Sequence, residues 1–274
     1  MPRPIHAWIL TTAILAAASC SRADRPTSEG ELSPAAQATA SAAAGQEATP
    51  SPSPAPRRLE PTPSSTPFAV ATDDIRSALD LAHPDHVDTF DNPRSWFNYD
   101  TPGRAAYWVG NGKLFGLDYE PEEIYTWETY TDTASGNVYA EVSATNGECI
   151  GRDAVGMVIR VDRSAAAGGY AVEVSCDGAW RFRLHQIGGD QVEFIEWTES
   201  DAIHTGPGAV NRLGLWGYQA RFRMYLNGQQ VGEYWDVHYR YSYGTFALYT
   251  LASQTYDLTS TFDDFAYWNI DALP

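Results

Sequence analysis

The chain has 274 residues, 35 acidic against 18 basic side chains, a net charge of −17, and 9 Trp, 16 Tyr and 10 Phe. A surface of that sign is repelled by nucleic acid and by anionic lipid headgroups, which excludes a nucleic-acid partner. Residues 1–67 carry five Arg against five Asp/Glu, so the whole acidic surplus falls on residues 68–274, a length that suits one sizeable domain.

The first segment, residues 1–20, opens with Arg3 and continues as an apolar run over residues 8–18. That run is too short for a hydrocarbon core needing about 20 residues, but it suits the apolar region of a signal peptide, about 7–15 residues. Its end, Ala17-Ala18-Ser19-Cys20, resembles a bacterial lipobox, in which the cysteine is lipidated and becomes the new N-terminus. Position 17 is Ala where that motif prefers Leu, and an ordinary secretory cleavage site is the alternative. Both readings place the protein outside the cytoplasm, either anchored to a membrane through Cys20 or secreted. Residues 21–67 are built almost wholly of Ala, Ser, Thr, Pro, Gln and Glu. They lack the large apolar side chains that offset the entropy of ordering, so a disordered, proline-stiffened linker is expected.

Past Phe68 the pattern is that of strands. A short helix is expected over residues 73–81, and no long 3.6-residue apolar period follows. Short alternating runs at 113–119, 137–144, 155–161, 170–175, 180–187, 191–197, 221–226, 230–236, 245–251 and 261–268 read as strands. Asn111-Gly112, Asp177-Gly178, Gly188-Gly189 and Asn227-Gly228 between them are hairpin turns. The fold class is therefore all-β, an antiparallel sandwich or barrel.

An ordered series of segments narrows this further. Asp88-Thr89-Phe90-Asp91-Asn92-Pro93-Arg94-Ser95-Trp96 comes first, then Gly156-Met157-Val158-Ile159-Arg160 and Gly169-Tyr170-Ala171-Val172-Glu173-Val174. Leu226-Asn227-Gly228-Gln229 follows, and Phe262-Asp263-Asp264-Phe265 closes the series. In this order, over about residues 86–270, the domain resembles the concanavalin A-like (laminin-G-like) jelly rolls attached to bacterial surface proteins. The resemblance implies two curved antiparallel sheets and a function ranging from glycan binding to glycoside hydrolysis to plain spacer. It also implies a structural Ca²⁺ where an acid of the last strand, Asp263, meets an N-terminal segment, here Asp88 and Asp91; a turn and a hydrogen-bonded strand end is the alternative.

Glycosidases of that fold with a glutamate–aspartate–glutamate motif carry acids at alternate residues of one strand. The nearest counterpart, Glu193 and Glu196, is spaced by three and falls on opposite faces. The expectation is a non-catalytic carbohydrate-binding or adhesion module; a glycosidase with an unrecognised carboxylate site and a structural or protein-interaction domain are the alternatives. Strand alternation turns Arg160, Arg181, Arg183 and Arg223 away from the core, together with Tyr225. Such arginines suit an acidic polysaccharide, although cross-strand pairing of Arg181 and Arg183 with Glu173 and Glu193 is the favoured reading. Trp197, Trp216 and Tyr225, with Trp235, are candidate stacking platforms for sugar rings; a surface protein is the other candidate partner. Cys149 and Cys176 remain once Cys20 is lipidated, and an exported compartment lets them pair. That bond is worth about 3 kcal/mol on the chain-entropy account, two buried thiols being the alternative.

Overall fold

The computed structural model describes residues 74–121, 128–129, 136–163, 168–186 and 191–270. The expected signal segment, Cys20, the expected linker and the expected Gly188-Gly189 turn lie outside them. After a 3-10 turn at Ile75–Ala78 the described elements are strands. They are β1 (His86–Asp88), β2 (Tyr99–Thr101), β3 (Ala105–Gly110), β4 (Lys113–Asp118), β5 (Glu128–Thr129), β6 (Val138–Thr145), β7 (Ala154–Asp162) and β8 (Gly168–Ser175). Then follow β9 (Ala179–Gln186), β10 (Val192–Glu199), β11 (Val210–Tyr218), β12 (Arg221–Leu226), β13 (Gln229–Trp235), β14 (Thr245–Leu251) and β15 (Leu258–Asn269).

A nine-stranded sheet runs β13-β12-β11-β6-β15-β4-β3-β2, with β1 also paired to β15. A six-stranded sheet runs β10-β9-β8-β7-β14-β5. The pairings are antiparallel, and the chain crosses repeatedly between sheets, as from β6 to β7, β10 to β11 and β14 to β15. This is the jelly-roll sandwich. Alternation builds its core: Val155, Met157 and Ile159 of β7 and Phe182 and Leu184 of β9 meet Val138, Ala140 and Val142 of β6 and Phe222, Met224 and Leu226 of β12. The Asn111-Gly112 and Asn227-Gly228 turns have positive φ at both residues, the geometry that matches the twist of a two-residue hairpin. Cys149 and Cys176 form a disulfide across 27 residues, seated in a small apolar cluster with Ala252 and Leu258.

Two local expectations change. The segment expected as a helix holds one 3-10 turn, capped where Asp74 accepts a hydrogen bond from the Arg76 amide at 2.8 Å. Leu79 is already extended, and Ile75, Leu79 and Leu81 spread as a strap on the outer face of the large sheet, against Tyr139, Trp216, Tyr225 and Trp268. Apolar contact with that face outweighs the weak propensity of so short a helix. The second change is Arg160. The β7–β8 register slips between Ile159 and Asp162, and Arg160 has φ +55°. The bulge carries its side chain off the outer face of the small sheet. Arg160 is buried, donating to the carbonyls of Gly136 (2.7 Å) and Gln219 (2.7 Å).

Candidate functional site

The outer face of the six-stranded sheet collects the charges that alternation predicts. One row across it reads Tyr249, Gly156, Glu173, Arg181, and the next reads Ala247, Val158, Ala171, Arg183, Glu193. Gly156 is required, because a Cβ there would sit 2.1 Å from the Tyr249 ring, which lies across β7 to donate its hydroxyl to Glu173. Glu173 also takes Arg181 and Arg183, and Arg181 reaches Glu193 at 2.7 Å, so the cross-strand pairs are formed. The Arg181 guanidinium lies 4.3 Å from the centre of the Trp197 ring, and His185 stacks on Tyr249 at 4.5 Å.

Glu173, Arg181, Arg183, His185 and Tyr249 are all buried. Burial alone would raise the Glu173 carboxyl, but the charges of Arg183 and then Arg181 overcome it and hold its pKa at about 2. Burial, and then the Arg183 charge, push His185 well below the ordinary imidazole value. A carboxylate held ionised, with both oxygens engaged, has no proton to give a glycosidic oxygen. The cluster is a closed ionic joint, and its arginines present no accessible cation.

The other expected positions are scattered. Trp216 and Tyr225 are on the outer face of the large sheet but are buried beneath the strap, where the Arg76 guanidinium lies 3.9 Å from the Tyr225 ring centre. Arg223 faces outward and pairs with Glu233 at 2.9 Å. Asp88 accepts from the Phe90 amide (2.8 Å) with one oxygen and from the Trp96 indole (3.1 Å) with the other. Asp91 accepts from the Thr89 hydroxyl, and Asp263 pairs with Lys113 at 2.7 Å. At this corner N–H donors engage both Asp88 oxygens and Lys113 supplies a positive charge beside Asp263, the contacts that the hydrogen-bonded alternative describes.

An open depression lies elsewhere, on the β2–β3–β4 edge of the large sheet. It measures about 460 Å³ and is lined by Asn98, Asp100, Ala106, Trp108, Leu117 and Tyr119, with Tyr99 and Tyr107 behind. Its size suits a small ligand. Tyr107 is buried with Tyr249 and Val158, the side chains of the small sheet's outer face, and alternation puts Ala106 and Trp108 on the opposite face of β3. Register sets Trp108 opposite Phe115, and the rings stack parallel, 2° apart in plane and 5.1 Å between centres. Trp108 is 38% exposed. Beside it Tyr119 donates to Asp100 at 3.0 Å, and that bond raises the phenol pKa. Asn98 accepts from the Val109 amide at 3.1 Å. The result is a flat, half-bare ring flanked by a carboxylate, a phenol and an amide. Sequence reasoning missed it, although Tyr107-Trp108-Val109 leading into Asn111-Gly112 carries the hairpin signal that places Trp108 opposite Phe115.

No family model matches the chain, and no curated protein matches it. Solved structures similar in backbone include the carbohydrate-binding module CBM66 from Bacillus subtilis, at 19% identity and TM-score 0.44, covering 65% of this chain and 98% of that one. A Bacillus licheniformis beta-glucanase aligns at 10% identity and TM-score 0.47, over 67% of this chain and 97% of that one. SCLam, a non-specific endo-beta-1,3(4)-glucanase of family GH16, aligns at 14% identity and TM-score 0.48, over 74% and 94%.

Proposed function

We propose that the domain is a non-catalytic carbohydrate-binding module whose contact site is the Trp108 depression. The observation that carries this reading is the exposed Trp108 ring, braced by Phe115 and flanked by Asp100, Tyr119 and Asn98. A sugar ring offers one apolar face to stack on an aromatic plane and a rim of hydroxyls for such polar groups. Hydrolysis is not assigned. A glycosidase needs two carboxyls about 5–9.5 Å apart with one of them protonated, and Asp100 is the carboxylate among the described lining residues.

The purified protein should be retained by a polysaccharide column without releasing reducing sugar. Trp108→Ala should weaken retention by about tenfold, or 1.4 kcal/mol. Unchanged retention by that variant, or sugar release by the parent protein, would refute the assignment. We further place the module outside the cytoplasm, tethered by lipid at Cys20; this rests on the sequence of residues 1–67. Cys20→Ser should move the protein from the membrane to the soluble fraction, and unchanged membrane recovery would remove the anchor from the proposal.

A further inference from the structure

The opposite edge of the same sheet carries a second bare aromatic. β13 is the terminal strand, and its register sets Tyr234 opposite core Phe222, Glu233 opposite Arg223 and Trp235 opposite Arg221. Trp235 therefore stands on the outer face, as Trp108 does, and is 60% exposed. In the connection that follows, Val237 is 78% and Tyr243 62% exposed.

The exposure is not that of a loose loop. Asp236 is buried and accepts from the Tyr170 hydroxyl at 2.6 Å and the His238 amide at 2.9 Å. Its own amide donates to Ala220 at 2.8 Å, and Arg160 ties Gly136 and Gln219 beneath the same end of the sandwich. Beside the Trp235 ring, Arg221 and Glu233 form a two-point ion pair at 2.8 and 3.0 Å. The chemistry resembles that of the first depression: an exposed ring, next in the chain to the anchored Asp236, beside polar groups able to bond hydroxyls.

We propose that Trp235, with Arg221 and Glu233, is a second carbohydrate-contact platform, and that the ligand is a long polysaccharide rather than a chain end or a free oligosaccharide. The inference rests on the sugar-binding reading of the Trp108 depression and deepens it. Six strand spacings separate β13 from β3 in the sheet order, which puts the platforms roughly 30 Å apart. A short oligosaccharide occupies one platform at a time. A polymer engages both, and the second contact then forms at high effective concentration, a gain of about 10²-fold or more.

The test compares a short oligosaccharide with the parent polymer that retains the wild-type protein, using Trp108→Ala, Trp235→Ala and the double variant in the full chain. The expected result is that Trp235→Ala lowers polymer affinity by about tenfold, as Trp108→Ala does, while oligosaccharide binding measured at the Trp108 depression stays. Equal polymer binding by Trp235→Ala and wild type, with Trp108→Ala weakening both ligands, overturns the second platform and leaves the first standing. Polymer binding that no variant weakens refutes both, and the melting temperature of each variant confirms that it is folded.

Discussion

Asp118 and Glu173 show how one residue type takes opposite charge states in this domain. Asp118 is buried at the end of β4; burial, opposed by its bond from the Ala252 amide at 2.8 Å, lifts its pKa to about 7. Glu173, equally buried, is held at about 2 because two arginines face it. The consequences for stability have opposite signs. Glu173 contributes fully above the ordinary carboxyl value of about 4.3 and loses that contribution as pH falls toward 2. Asp118 keeps its proton in the folded state after the unfolded chain has released it, above about 3.9, so stability falls as pH rises from about 4 to 7. Asp118→Asn should remove that decline. Melts between pH 5 and 8 should show the variant gaining stability relative to wild type by on the order of 3 kcal/mol, on top of the rise that the depressed His185 gives both proteins as pH climbs to about 6.5. Parallel slopes would dismiss Asp118 as the cause. At this scale alternation identified the partners of Arg181 and failed for Arg160, because a bulge consumes one residue of the pleat and cannot be counted from spacing.

At the scale of elements, the strap is the part least legible beforehand. Its residues suit a helix by propensity, yet it forms one 3-10 turn held by Arg76. That guanidinium is buried, bonds the Tyr139 hydroxyl at 3.0 Å and the Gly228 carbonyl at 2.7 Å, and pairs with Asp74 at 2.8 Å. Removing one partner of such a joint costs about 3–5 kcal/mol, limited here by the docking energy of the strap itself. Arg76→Ala should therefore free the strap before the sandwich melts: proteolysis at residues 74–81 quickens, and Trp216 and Trp268 emission shifts to the red. An unshifted emission spectrum would mean that the apolar contacts of Ile75, Leu79 and Leu81 hold the strap alone. Strands fared better. The hairpin turns signalled by Asn-Gly stand where expected, whereas β11 was missed because Gly214 and Gly217 interrupt its alternation. A Cβ at Gly214 would sit 2.8 Å from the Tyr139 hydroxyl, a contact between strands that no local pattern encodes.

For the whole molecule, the acidic charge argued against nucleic acid, and alternation and turn chemistry identified an antiparallel sandwich, because both act through neighbours a few residues apart. The pairing of Cys149 with Cys176 followed from the expectation of an exported domain holding two cysteines once Cys20 is set aside. What the sequence left undecided is which outward side chains remain outward. Trp216 and Tyr225 lie on the large sheet's outer face but are covered by residues 74–81, far away in the chain, and the arginines of the small sheet are sealed into their own ion pairs. Trp108 and Trp235, towards the two edges, lie outside the aromatic cluster that the strap covers and are exposed. Periodicity decides which face a side chain takes; only the tertiary structure decides whether that face is left to solvent, since burial depends on segments distant in sequence.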